Sequence, residues 1–356
     1  MILIAGSIAV DHIQIKRNNN LNYFCSIGGG SAANIYFSLK SFGIPVNIMS
    51  VIGCRDRKIL RVAIKDLPSI TDEKSFLYLH YKTYVKEYQY ILEKRKTNKW
   101  ICKLIPYSLL KDEKRNKVNQ FRKIFFKEFY EDIIKDCAIF YTDRISTSGL
   151  YFANTIGKYS LRIFNMGNVS WQYKFNNFRR NLILEAIKLA DILQIPIKVY
   201  REIKKHSKFK NIQDINPNIL IWVIFSMKDR IIAYHINIGE IELPMQEIQN
   251  LLDLNGVEDA FMSMLIFQLY SLLGKSSPNK LIKNMRRTQF IVIIKNCIEN
   301  AKKACLFIGA RTYVYYYLHN KDNFLLRDYL FNSLEDKNFC IESIQLLRRH
   351  GEQIFS

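Results

Sequence analysis

Short apolar runs separated by polar turn residues set the pattern along this chain. Ile2–Ala5 is apolar throughout and ends at Gly6, as a fully buried strand does. His12–Lys16 and Asn22–Cys25 predict extended segments on either side of the turn residues Asn18, Asn19 and Asn20. Ser31–Phe42 has helical spacing, with Ser31 as its cap and Gly43 as its stop, and Val46–Ile52 returns as a strand. This order predicts an α/β fold. Phe76–Tyr81 and Tyr84–Glu93 alternate apolar and polar residues, as half-exposed strands do, with Lys94–Lys99 as a turn before Trp100–Ile105. Lys111–Lys135 interleaves basic residues with Phe121, Phe125, Phe126, Phe129 and Tyr130. That spacing predicts an amphipathic helix, although aromatic–basic interleaving also suits base stacking. Ala138–Tyr141, Leu161–Phe164 and Ile219–Phe225 read as interior strands of a mainly parallel sheet, with helices such as Phe178–Leu189 between them. Gly239 to Pro244 reads as extended, and Phe261–Leu273 has helical spacing. Lys280–Phe307 predicts one long helix ending at Gly309. The chain beyond His319 is charged and helical in pattern, and there is no internal repeat.

Composition narrows this picture. A chain of 356 residues, 49% hydrophobic, can bury a sizeable core. No apolar run approaches the ~18 residues that cross a bilayer. Met1–Val10 lacks a basic opening and meets Asp11 at once, so it reads as a buried strand rather than a signal peptide. Seven cysteines, an odd number without a C-x-x-C pair, predict reduced thiols in a cytoplasmic protein and no zinc site. The six histidines form no metal-binding pair. The net charge of +21 would suit a nucleic-acid or acidic-membrane partner. Abundant Lys, Asn, Ile, Tyr and Phe with scarce Gly and Pro give the same charge by coding bias alone. The expectation is therefore a small-molecule ligand, with no nucleic acid and no membrane.

The chemistry concentrates in Asp253-Leu-Asn-Gly256-Val257-Glu258-Asp259-Ala-Phe261. A glycine at the mouth of a helix leaves backbone N–H groups and the positive end of the dipole facing an anion. An aspartate in the first turn then stands beside that anion. Such a layout suits phosphoryl transfer to an alcohol, with Asp259 as general base and Gly256, Val257 and Glu258 as the anion hole. The competing reading of Asp259 is an ordinary first-turn acid.

These motifs resemble the ribokinase (PfkB) family of carbohydrate and nucleoside kinases, whose late signature is usually D-T-x-G-A-G-D-A-F. Met1-Ile-Leu-Ile-Ala-Gly6-Ser-Ile-Ala-Val-Asp11 resembles the family's first strand and substrate-binding aspartate. Gly29-Gly30-Ser-Ala-Ala33-Asn34 resembles its G-G-x-x-A-N helix start. Tyr141-Thr-Asp143-Arg144-Ile-Ser and Ile308-Gly309-Ala-Arg311 resemble an uncharacterised bacterial branch, extending the likeness over most of residues 1–317. The resemblance implies a three-layer α/β/α sandwich over residues 1–320 with a mainly parallel sheet. It also implies a small β lid from strands at about 12–26 and 76–105, and a homodimer through that lid. Residues 321–356 remain as a charged, helical extension. ATP and Mg²⁺ are the implied cofactors. Asp11, Gly29, Gly30 and Asn34 are the implied substrate contacts, and Asp253 and Ser226 lie in the implied nucleotide–metal region. Without the resemblance, Asp11 reads as a loop carboxylate, Asp253 as a turn residue, and Arg311 as a partner for either a phosphate or a helix end.

The sequence departs from that pattern in four places. Glu258 replaces the second glycine of the late signature. At ~4 Å a like charge costs about 1 kcal/mol in water and about 4 kcal/mol at an effective dielectric of 20. A helix N-terminus returns roughly 0.3–2 kcal/mol. The nucleotide turn, usually V-T-x-G-x-x-G, reads Ile224-Phe225-Ser226-Met227-Lys228-Asp229-Arg230, without glycine. The N-x-x-E motif falls at Pro196 to Val199, and Met264 replaces a small residue. Two function classes follow: an ATP-dependent kinase for a hydroxymethyl group of a sugar or nucleoside-like molecule, or a non-catalytic relative that serves as a binding or assembly module. A dehydrogenase is disfavoured, because Gly28-Gly29-Gly30 is not a G-x-G-x-x-G following a strand.

Overall fold

Strands buried along nearly their whole length, such as Ile2–Ala5 and Ile139–Thr142, and a helix buried from Ala32 to Leu39 form the interior of the fold. The computed structural model describes residues 1–17, 20–67, 76–80, 85–94, 100–106, 136–156, 160–167, 177–206, 209–226, 230–244, 251–273, 277–320, 343, 345–346 and 349–350. The expected helix Lys111–Lys135, the asparagine turn at 18–19, the polar turn at 95–99, the turn residues Met227, Lys228 and Asp229, and most of 321–356 lie outside these.

The elements begin with strands β1 (Ile2–Ala5), β2 (Ala9–Arg17) and β3 (Asn20–Gly29), then helix α1 (Ser31–Ser41), β4 (Val46–Gly53) and α2 (Arg57–Ile64). Next come β5 (Phe76–His80), β6 (Lys86–Lys94), β7 (Trp100–Pro106), β8 (Ile139–Thr142) and α3 (Thr147–Ile156). They are followed by β9 (Leu161–Asn165), α4 (Asn177–Leu189), β10 (Ile192–Pro196), α5 (Ile197–His206), β11 (Ile221–Ser226), β12 (Arg230–His235) and β13 (Gly239–Pro244). Four helices close the series: α6 (Val257–Leu273), α7 (Pro278–Lys283), α8 (Arg287–Cys305) and α9 (Thr312–Asn320).

The chain divides into two compact units. The first comprises Met1–Ala5, Lys111–Gln246 and Gln268–Lys295. Within it β1, β8, β9, β10 and β11 pair side by side in parallel, and β12 and β13 extend the sheet antiparallel. β8 is fully buried along its length and β1, β10 nearly so, as interior parallel strands require. The single helix expected over Lys280–Phe307 is two, α7 and α8. The reason lies at the end of α7, where the carbonyl of Ile282 accepts from His235 Nε2 at 2.8 Å and that of Lys283 accepts from Asn237 Nδ2 at 2.7 Å. The Ile282 carbonyl also accepts the Met285 N–H at 2.9 Å, the tighter i to i+3 bond of a closing turn. His235 Nδ1 accepts the Asn237 N–H, so the buried ring is the neutral Nε2–H form, and burial holds its pKa below the ordinary value.

The second unit comprises Gly6–Leu110, Glu247–Phe267 and Asn296–Ser356. β2 is central to a four-stranded sheet in the order β3-β2-β6-β7, antiparallel to β3 and parallel to β6. Phe76–His80 does not join this small sheet, contrary to expectation. It pairs parallel with β4, because a strand–helix–strand connection through α2 is what a parallel pair needs. The helix α2 is not among the elements expected from the sequence, although Asp56 caps it by accepting from the N–H groups of Lys58 and Ile59. α1 is buried from Ala32 to Leu39, and α9 packs along it through Tyr313–Ser38 and Phe37–Tyr315 contacts. Among the described residues no helix is long and apolar enough to cross a membrane.

Candidate active site

The loop Asp253–Gly256 is fixed by its own first residue. Asp253, almost wholly buried, accepts the Asn255 N–H at 2.9 Å on one carboxylate oxygen and the Gly309 N–H at 2.9 Å on the other. This binds two loops together. Gly256 follows with φ +78°, and a Cβ there would stand 2.5 Å from the Ala310 Cβ. Backbone sign and neighbour both demand glycine. The Ala260 N–H then bonds the Gly256 carbonyl at 2.8 Å and α6 begins. Ser263 Oγ bonds the Asp259 carbonyl at 2.7 Å and Asn300 bonds that of Ala260 at 2.7 Å, so the first turns are braced from two sides. Val257 is buried and Glu258 half-buried on this turn.

The side chain of Asp259 meets the start of α1. One oxygen accepts from Ser31 Oγ and the other from Asn34 Nδ2 at 2.8 Å. Ser31 is not the helix cap expected of it. Gly30 occupies that position at φ 89°, with no side-chain cap, and a Cβ there would meet the Ser7 carbonyl at 2.6 Å. The Ser31 hydroxyl is thereby given to Asp259 rather than to the helix end. Asn34 Oδ1 accepts from Arg311 Nε at 3.0 Å. Arg311 is 0% exposed, sits 5.5 Å from the Phe37 ring, and donates from a second nitrogen to Asp66 at 3.2 Å. The Tyr315 hydroxyl donates to the same Asp66 oxygen. Arg311 is therefore an interior cation, and neither of the roles the sequence left open to it is the one it plays.

Asp11, on β2, is buried, and Asn255 Nδ2 approaches its carboxylate at 3.5 Å. A Cβ on Gly29 would lie 2.4 Å from the Asp11 carboxyl carbon, so glycine here makes room for the acid. Burial raises the Asp11 pKa to about 7; Arg311 and Asn255 pull it down, while Asp259 and Asp253 push it further up. Asp11, Gly29, Gly30, Asn34, Asp253, Gly256 and Asp259 thus come together in the second unit, though 248 residues separate the first from the last. Ser226 ends β11 in the first unit. Sequence reasoning missed Ser31's bond to Asp259, and also Asn255, Asp66 and Tyr315. Only Asn255, inside the late signature, carried a signal that could have drawn notice.

The positions where the resemblance implied N-x-x-E are Pro196 at the end of β10 and buried Val199 in α5. Among the described residues no group of three or more His, Cys, Asp or Glu side chains could hold a metal. The described residues do not fit a protein-held ion at these positions.

A mainly parallel sheet, a four-stranded sheet carrying a buried aspartate, and a late glycine–aspartate helix mouth define the ribokinase-like fold, and this chain has it. An ATP-bound fructokinase from Xylella fastidiosa superimposes with TM-score 0.63 at 12% identity, over 90% of this chain and 98% of that one. A nucleoside kinase from Burkholderia thailandensis in complex with inosine gives 0.58 at 16%, over 88% and 94%. A ribokinase from Giardia lamblia gives 0.60 at 11%, over 88% and 96%. No family model and no curated protein matches the sequence.

Proposed function

We propose that this chain is a phosphotransferase that places a phosphate on a hydroxymethyl group of a sugar or nucleoside-like molecule, with ATP as donor. One observation carries the reading: Asp259 stands on the first turn of a glycine-led helix, gripped at both oxygens by Ser31 and Asn34, in the same cluster as buried Asp11. Asp259 takes the proton of the attacking hydroxyl, and the opening turn of α6 faces the charge that builds on the transferred group. Asp11, as carboxylate, accepts from substrate hydroxyls. Asn34 spends one donor on Asp259 and one lone pair on Arg311, so orienting the base is its main part. The kinases of like fold, one bound to ATP and another to inosine, support this choice of donor and acceptor.

A second reading is favoured by Pro196 and Val199, which leave the implied N-x-x-E positions without polar groups: a binding module that keeps the fold without the chemistry. Calorimetric titration with ATP·Mg²⁺, followed by an ADP-release screen over ribose, fructose and nucleosides, separates the two. The kinase gives turnover that Asp259→Asn lowers by about 10²–10⁴-fold while ATP binding persists. Absence of nucleotide binding at millimolar ATP decides for the module.

A further inference from the structure

A guanidinium carries only donors, and an amide carries an oxygen at one end and donors at the other. These two facts give the polar chain beneath the site a single direction. Tyr315 and Arg311 both donate to Asp66, and Arg311 Nε donates to Asn34 at 3.0 Å, so the atom it meets is the amide oxygen. The amide nitrogen then faces Asp259 at 2.8 Å, and the oxygen it meets is an acceptor. Were the amide turned over, two donors would face each other across Arg311 and two oxygens across Asp259. Burial and the nearby Asp66 push the Tyr315 phenol up, so it stays a donor and anchors the far end.

We propose that Arg311 is the positioning residue of this site: its interior fork fixes which way the Asn34 amide faces, and through Asn34 it fixes the orientation of the Asp259 carboxylate. The inference rests on the phosphotransferase reading for its catalytic consequence, but the orientation of Asn34 stands apart from it. Close packing supports the role. Gly28 leaves space that a Cβ would fill at 2.5 Å from the guanidinium, and Phe37 covers its face. The guanidinium therefore has no room to re-aim. A lysine would keep the charge but not the planar fork that reaches Asn34 and Asp66 together.

The test uses the full chain with three changes: Arg311→Lys, Arg311→Met, and the charge-neutral double variant Arg311→Met/Asp66→Asn, which leaves no unpaired carboxylate if the single change fails to fold. Asn34→Asp assigns the Asn34 side-chain NH₂ signals by their disappearance from the ¹⁵N spectrum. In the wild-type protein those protons are protected from solvent exchange, and fast exchange there overturns the proposal without any variant. In the variants protection is lost and kcat falls about 100-fold, the cost of a misplaced reacting group, with a much smaller change in sugar KM. A folded variant with wild-type kcat, or one with lowered kcat but intact Asn34 protection, overturns it. Rescue of kcat by Arg311→Lys does so too. If the wild-type protein shows no turnover on any acceptor, the kinase reading fails alone, and the exchange measurement decides the role of Arg311.

Discussion

Asp11 carries the most telling single-residue chemistry. Its pKa, raised from 3.8 to about 7 chiefly by burial, places its titration at the pH where a cell works. If Asp11 accepts hydrogen bonds from two substrate hydroxyls, only its charged form binds well. Substrate KM should therefore fall as pH rises from about 6 to 8, with a midpoint near 7, while kcat moves little at saturating substrate. Asp11→Asn, which keeps shape but swaps an acceptor for a donor, should raise KM and abolish that dependence. Initial-rate measurements at half-unit steps of pH check both. A KM that stays flat across this range would mean that Asp11 does not touch the substrate. Glu258, the departure that most threatened the anion hole, lies half-buried on the opening turn of α6.

At the scale of elements, the helix mouth is held by packing as well as by conformation. Gly256→Ala meets two penalties: a non-glycine residue at φ +78°, costing roughly 1–2 kcal/mol, and a Cβ 2.5 Å from the Ala310 Cβ, costing roughly 1–3 kcal/mol. Ala310→Gly in the same chain should recover only part of the second, since the Ala310 Cα would still lie 2.8 Å from the added Cβ, and leave the first, read as a partial return of Tm. The residues of this mouth were legible because a glycine, an aspartate and an apolar run at fixed spacing say where a helix starts. β1, β8, β9 and α6 were legible for a similar reason: continuous apolar runs have few other uses. What was not legible has a physical cause in each case. β5 was misassigned because apolar–polar alternation reports exposure of a strand and not its partner. The break between α7 and α8 has neither Gly nor Pro; the side chains that bond its last carbonyls, His235 and Asn237, are distant in sequence. Ser31 looked like a cap since serine usually is one at a helix start, and only the tertiary arrival of Asp259 redirects it. Asp66 and Tyr315 are ordinary in sequence and acquire a role only through Arg311.

For the whole molecule, buried titratable groups set opposed slopes of stability against pH. Asp11 binds its proton more tightly folded than unfolded. Its contribution is complete below 3.8 and is lost as pH rises through about 7. His235 and His350 are shifted the other way, both chiefly by burial. Their contribution is present above 6.5 and lost as pH falls through their lowered folded values. His350 stacks on Tyr315 with ring centroids 3.9 Å apart and its Nε2 lies 3.0 Å from that of His319, so charging His350 on acidification weakens its place against Tyr315. Lys303, lowered to about 8 by burial, adds a gain above that pH as its charge is lost. These terms overlap in the wild-type curve, and Asp11→Asn separates them. The variant removes one slope and leaves the others, so its stability relative to the wild-type protein should climb steadily between about pH 4 and 7 and then level off. Three pH units correspond to an upper bound of about 4 kcal/mol. Chemical denaturation of both proteins at fixed ionic strength, which keeps the self-repulsion of a +21 chain constant, gives the difference directly. A variant that grows more stable toward neutral pH while losing its grip on substrate would show why this acid sits where folding alone would not put it. A difference that does not change with pH would mean that Asp11 titrates alike in the folded and unfolded chain, and would remove it from the site.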